Sequence, residues 1–145
     1  MNKEIEIESD YTISEKILGE GSYGIVRKAT EKDTGESRAI KTIRKNKIQE
    51  KKRFLNELNI LKILDHPNIV KLFEIYEDEE SIHLVMEYCS GGELFDYILK
   101  QEVLDEYESS KIIKQILHAI LYCHKNAICH RDLKPENFMF ESKEK

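Results

Sequence analysis

The chain has 145 residues, enough for one average domain with a real hydrophobic core. Charged residues make up 35 % and apolar residues 40 %, the balance of a soluble globular protein rather than of a disordered one. A formal net charge of -5 argues against nucleic acid as the main partner, because phosphate binding is driven by basic surface.

The start lacks the basic, apolar, small-residue order of a signal peptide, and no apolar run is long enough to span a bilayer. Cys89, Cys123 and Cys129 are an odd number in such a chain, so reduced thiols and a cytoplasmic, reducing compartment are expected. Cys123-His124 and Cys129-His130 pair soft ligands, but their spacing matches none of the common zinc patterns.

Residues 1–10 are polar and acidic and read as a frayed leader, despite the Ile5/Ile7 alternation. A strand runs from Tyr11 to Leu18. Gly19-Glu20-Gly21-Ser22-Tyr23-Gly24-Ile25-Val26 follows, in the order G-x-G-x-x-G-x-V. Glycine tolerates positive φ and lets backbone N–H groups approach a ligand closely, so the loop can cradle phosphates. A dinucleotide fingerprint would need a helix after the glycines. Here Ile25 to Thr30 is β-branched and alternating, so the loop joins two antiparallel strands.

Asp33-Thr34-Gly35-Glu36 signals a turn, and a third strand from Ser37 to Ile43 carries Ala39-Ile40-Lys41. A helix is predicted from Gln49 to Leu64, with Phe54, Leu58 and Leu61 on one stripe, Leu55 and Leu64 widening it, and Glu57 beside it, able to face inward. Asp65-His66-Pro67-Asn68 breaks the helix. Strands Ile69–Tyr76 and Ile82–Tyr88 follow, joined by the acidic turn Glu77 to Ser81. Five strands and one long helix make a small α+β domain over residues 11–90. At Gly91-Gly92 the composition turns helical, which sets the domain boundary. A short helix from Glu93 to Lys100 precedes a longer one from Asp105 to Lys125. The latter carries Ile112, Ile116, Ala119, Ile120 and Cys123 on one face, with Ile113, Leu117 and Leu121 beside it. So wide an apolar surface implies packing on several sides.

His130-Arg131-Asp132-Leu133-Lys134-Pro135-Glu136-Asn137 then packs an imidazole, a guanidinium, two carboxylates, an ammonium and an amide into eight residues. Pro135 fixes its own φ and pushes Lys134 toward extended geometry, so this is a loop. Phe138-Met139-Phe140 can anchor it on a short strand.

Together the glycine loop, Lys41, Glu57 and the loop at 130–137 resemble the eukaryotic protein kinase domain, in family order from about Tyr11 to Phe140. The resemblance implies a two-lobed α+β fold, with residues 11–90 as the ATP-binding lobe and 91–145 as part of a helical lobe. It implies that Gly19, Gly21 and Gly24 cover the phosphates and that Val26 and Ala39 pack on adenine. Lys41 would hold the α/β-phosphates, oriented by a salt bridge to Glu57. Met86 would guard the back of the adenine pocket, with Met139 also counted among the nucleotide contacts. Glu87 to Cys89 would bind adenine through the backbone, and Glu93 would reach the ribose or a basic substrate residue. Asp132 would accept the proton of a substrate hydroxyl, Lys134 would neutralise charge on the transferred group, and Asn137 would bind Mg²⁺.

Lys134-Pro135-Glu136 is similar to the serine/threonine branch, and Tyr88 to Asp96 looks like the calcium- and calmodulin-dependent group. The implied reaction transfers the ATP γ-phosphate to a protein Ser or Thr, with basic residues flanking the substrate hydroxyl. The sequence ends before the family's D-F-G motif, and it contains no EF-hand calcium loop. The expectation is therefore weak phosphotransfer by this polypeptide alone and association through its exposed helical surface. The alternative is a non-catalytic nucleotide-binding or interaction module.

Overall fold

The structure, a computed structural model, describes residues 6–21 and 24–142. Ser22 and Tyr23 of the glycine loop, residues 1–5 of the leader and the end of the charged tail lie outside the described residues. Two compact units form: residues up to Leu64 with Lys71–Tyr88, and Asp65–Val70 with the residues from Cys89 on.

The first unit is a five-stranded antiparallel sheet of order β1-β2-β3-β5-β4. Its strands are β1 (Tyr11–Gly21), β2 (Gly24–Glu31), β3 (Ser37–Arg44), β4 (Leu72–Glu77) and β5 (Ser81–Glu87), with helix α1 (Lys51–Ile63) between β3 and β4. Side chains alternate across a strand, and both faces here are apolar enough to be covered. On one face Ile43, Ile75, Ile82 and Leu84 pack with Leu58 of α1, supported by Phe54 and Leu61. Of the stripe read from the sequence, Phe54, Leu58 and Leu61 pack here, while Leu55 stays 44 % exposed. On the other face Ala29, Ile40, Val85 and Tyr76 pack with Tyr11 and Ile7.

Ile7 corrects the reading of residues 1–10 as a frayed leader. A 3₁₀ turn at Ile7–Ser9 buries it, at 8 % exposure. Next to it Tyr76 Oη donates to Asp10 Oδ2 at 2.6 Å, and Tyr11 Oη donates to Glu74 Oε2 at 2.7 Å. A short polar segment gave no periodicity long enough to reveal this.

β1 runs three residues past its predicted end, because it pairs with β2 to the tip, Gly21 opposite Gly24. Its register slips between Ile13 and Ile17 and again before Gly19. β4 begins at Leu72 rather than Ile69, and residues 65–70 belong to the second unit. There the Asp65 N–H donates to Tyr122 Oη at 3.0 Å, Asn68 Nδ2 donates to Gln115 Oε1 at 3.2 Å, and His66 lies against the Tyr122 ring. The break at Pro67 was legible, but not which side would claim it.

The second unit holds β6 (Gly92–Glu93), α2 (Leu94–Lys100), α3 (Glu106–Lys125) and β7 (Met139–Phe140), with β6 and β7 antiparallel. Asp105 caps α3, its Oδ1 accepting from the Glu108 N–H at 2.8 Å. Along α3 Cys123 is buried and Ile112, Ile116, Ala119 and Ile120 are half-buried. Ile113, Leu117 and Leu121 remain more than half exposed.

Candidate nucleotide and phosphoryl-transfer site

In the first unit the register sets which side chains share a face. Val26 stands opposite Lys41, Ala39 opposite Met86, and Lys41 opposite Leu84. Directly opposed residues point the same way, as do residues two apart on a strand. Val26, Ala39, Lys41 and Met86 therefore line one face, the one α1 covers beyond them. Ala39 is buried, Val26, Lys41 and Met86 are half-buried, and Met86 packs on the α1 cluster.

The glycines divide by physical cause. Among the described residues positive φ occurs at Gly35 and Gly92, not at Gly19, Gly21 or Gly24. A Cβ on Gly24 would collide with the Thr42 carbonyl of β3, so close strand packing demands glycine there. Gly19 and Gly21 have nothing within 4 Å of that position among the described residues, so no contact with those residues requires them.

Glu57 departs from expectation. It does not face inward and forms no salt bridge with Lys41. Its Oε1 accepts from Arg53 Nε at 3.2 Å, with the glutamate side chain 59 % exposed. One residue is 100° of helix, so the neighbour of the buried Leu58 sits at the margin of the packed stripe. There a partner one turn away is within reach. At the end of β5 the Glu87 N–H donates to the Lys71 carbonyl at 2.9 Å, and Glu87 Oε2 accepts from the Lys71 N–H at 3.2 Å. That N–H is engaged within the protein.

In the second unit the loop after α3 is exposed throughout 129–137, then enters a 3₁₀ turn at Pro135–Asn137 and β7. Three polar side chains converge. Asn137 Nδ2 donates to the Asp132 carbonyl at 2.7 Å and to its Oδ2 at 3.1 Å, and Lys134 Nζ lies 3.4 Å from the same Oδ2. Asp132 Oδ1 has no such partner among the described residues. The hydrogen bond from Asn137 holds the Asp132 carboxyl below its usual range, helped by the charge and hydrogen bond of Lys134 and opposed by desolvation. Asn137 keeps its carbonyl oxygen, a hard donor of the kind Mg²⁺ takes. No group of three or more His, Cys, Asp or Glu suited to a metal exists among the described residues. A magnesium ion that retains waters and substrate phosphates fits that sparse donor set.

β7 pins the loop. Phe140 and Glu141 carbonyls accept from the Gly91 and Ser90 N–H groups at 2.9 Å each, and the Phe138 carbonyl accepts from Leu94 N–H at 2.9 Å. Glu93 and Met139 stand opposite each other in this ladder, and Met139 is 51 % exposed.

A sequence model described as the protein kinase domain matches residues 11–145. The chain belongs to the protein kinase family. It is 53 % identical over 135 residues to calcium-dependent protein kinase 5 of Plasmodium falciparum, covering 93 % of this chain and 24 % of that protein. Against calcium-dependent protein kinase 3 of Plasmodium yoelii yoelii the identity is 50 % over 137 residues, covering 94 % of this chain and 26 % of the relative. Among solved structures, Rad53 in complex with AMP-PNP superposes with a TM-score of 0.90 at 42 % identity, over 94 % of this chain and 36 % of the Rad53 chain. The chain thus spans about a quarter of the length of these curated relatives.

Features of this kinase chain that the sequence did not announce are mostly conformational. Arg131 has φ 68°, left-handed backbone that costs a non-glycine residue about 1–2 kcal/mol. Beside that bend the Asp132 N–H donates to His130 Nδ1 at 3.2 Å, so the histidine braces the loop. No residue type at position 131 signals this. Gly91 does carry a signal, since a Cβ there would lie 2.7 Å from the Phe140 carbonyl. That glycine reads in retrospect as a close strand contact.

Proposed function

We propose that this chain carries the ATP-binding lobe and phosphoryl-transfer loop of a serine/threonine protein kinase, moving the γ-phosphate of ATP to a protein Ser or Thr hydroxyl. The observation that carries this reading is the convergence of Asp132, Lys134 and Asn137. Asn137 and Lys134 hold one carboxylate oxygen, which leaves Asp132 Oδ1 to accept a hydrogen bond from the substrate hydroxyl. A carboxylate with a lowered pKa is a weak base, so Asp132 orients the nucleophile and takes its proton late in the transfer. Lys134 offsets negative charge developing on the transferred group. Magnesium, when bound, supplies further charge neutralisation between the phosphates, with Asn137 as its ligand from this loop.

On the sheet face Lys41 would bind the α/β-phosphates, while Val26, Ala39 and Met86 enclose the adenine. Gly19 and Gly21, which no contact with the described residues requires, would let the β1–β2 backbone approach the phosphates. Glu87 and Cys89 would offer backbone groups to adenine, and Glu93 would meet the ribose or a basic substrate residue. Glu57 would join Lys41 in an engaged conformation in which Arg53 has released it. Among the described residues no disulfide joins Cys89, Cys123 or Cys129, which suits a reducing, cytoplasmic setting. Kinship with the calcium-dependent kinases supports placement in that group.

The 145-residue polypeptide alone should transfer phosphate weakly, because Glu57 is paired with Arg53 rather than with Lys41. The test joins this chain to the remaining kinase-domain residues of the Plasmodium falciparum relative and follows phosphate transfer to a serine peptide. The chimera should be active and lose at least about a hundredfold with Asp132→Asn, with melting unchanged. Full activity of Asp132→Asn, or full turnover by the 145-residue chain alone, contradicts the proposal.

A further inference from the structure

Lys28 stands in the row of side chains that would enclose adenine. On β2 it follows Val26 by two residues, so the two side chains share a face. Across the sheet it is opposite Ala39, and Ala39 is opposite Met86. A strand lysine on an open surface extends its ammonium into water. Lys28 instead is half-buried and forms no ion pair among the described residues. Its Nζ lies 4.9 Å from the centroid of the Tyr88 ring, within the range in which a ring face attracts a cation.

Tyr88 is the residue directly after β5, between Glu87 and Cys89. Backbone that leaves a strand loses its ladder partners and must be held in another way. Glu87 is held by Lys71: the Glu87 N–H donates to the Lys71 carbonyl at 2.9 Å, and Glu87 Oε2 accepts from the Lys71 N–H at 3.2 Å. For Tyr88 the ring contact with Lys28 supplies a hold from β2. The Glu87 carbonyl belongs to the planar peptide unit between these two held residues, so both anchors set its direction.

We propose that Lys28 is a positioning residue for base recognition. By holding the Tyr88 ring it fixes the peptide between Glu87 and Tyr88, and so aims the Glu87 carbonyl at the amino edge of adenine. This rests on the nucleotide reading of the Lys41 face. The adenine amino group donates to a carbonyl, whereas guanine presents an oxygen acceptor at the same place and leaves that carbonyl unpaired. Lys28 thus acts on the choice of base, while the grip on phosphate stays with Lys41 and the glycines.

The test titrates the 145-residue chain calorimetrically with the magnesium complexes of AMP-PNP and GMP-PNP. Lys28→Met keeps the length of the stem and removes the charge. Its AMP-PNP affinity should fall about fivefold, the size of one cation–π contact. GMP-PNP affinity should stay the same, which also shows that the variant is folded. Lys28→Arg and Tyr88→Phe keep a cation and a ring and should stay within about twofold of the native chain. In a Tyr88→Leu background Lys28→Met should change nothing further. No loss in Lys28→Met, equal losses for both nucleotides, or an undiminished effect without the ring overturns the proposal. A native chain that binds neither nucleotide removes the nucleotide reading itself, and the role of Lys28 with it.

Discussion

The two units of this chain reach stability by different routes. The five-stranded unit fills both faces of its own sheet: α1 covers one, and Ile7, Tyr11 and Tyr76 cover the other. The second unit has little interior. Leu94 and Cys123 are its buried apolar residues, while α3 leaves Ile113, Leu117 and Leu121 open. Yet the residues with the densest chemistry, Asp132, Lys134 and Asn137, sit on this second unit. The first unit is self-supporting, whereas the loop at 129–137 follows a helix whose Ile113, Leu117 and Leu121 stay open.

Truncating the two regions should separate them most strongly. Ile40 is 1 % exposed, so Ile40→Ala should cost about 2–5 kcal/mol in urea unfolding of the first unit. Leu117, at 56 % exposure, should change stability by no more than about 0.5 kcal/mol when cut to alanine. Equal losses would erase the contrast.

The open face of α3 should instead govern association. Leu117→Glu with Leu121→Glu removes two leucines, worth about 3 kcal/mol or more, from any interface formed there. Self-association measured by sedimentation should then weaken by about a hundredfold. Undiminished association would place the contact elsewhere.

A smaller effect tests the polar seam of the first unit. Tyr76 is 1 % exposed and its Oη meets Asp10 Oδ2 at 2.6 Å and Glu74 Oε2 at 3.1 Å. Tyr76→Phe should cost about 1.5–3 kcal/mol, the range for a hydrogen bond to a charged group. Burial first, then the hydrogen bond to Asp10 and the charge of Glu74, raises the Tyr76 pKa above its ordinary value. For Tyr11 burial again leads, followed by Glu74. A raised phenol stabilises the fold below the unfolded pKa, near 10, and that stability is lost as pH rises beyond it. Alkaline titration should therefore melt the first unit above about pH 10, with a shallower slope in Tyr76→Phe. A smaller loss than that of Tyr76→Phe is expected at the α3 cap of the second unit. Asp105→Ala removes the α3 cap for about 1 kcal/mol, read as helix loss by circular dichroism.

Much of this was legible beforehand. Alternating β-branched runs marked the strands, and helical spacing of Phe54, Leu58 and Leu61 marked the face of α1. Asp132, Lys134 and Asn137, which converge in the structure, were legible as residue types in order. Their conformations were not. Nothing in the letters put Arg131 in left-handed backbone or directed Glu57 toward Arg53. Ile7 was missed because three residues carry no period. The fate of Asp65–Val70 depended on Tyr122 and Gln115, far along the chain.

The most direct test of the central claim is whether the Lys41 face binds nucleotide. The melting of the 145-residue chain is followed with Mg²⁺ and AMP-PNP at about a hundred times the dissociation constant, which stabilises a single site by about 2.7 kcal/mol. For a unit of this size that is a rise of about 10 °C or more, and Lys41→Met should abolish it without lowering the melting point of the free protein. No shift in the native chain, or the same shift in Lys41→Met, would contradict the account.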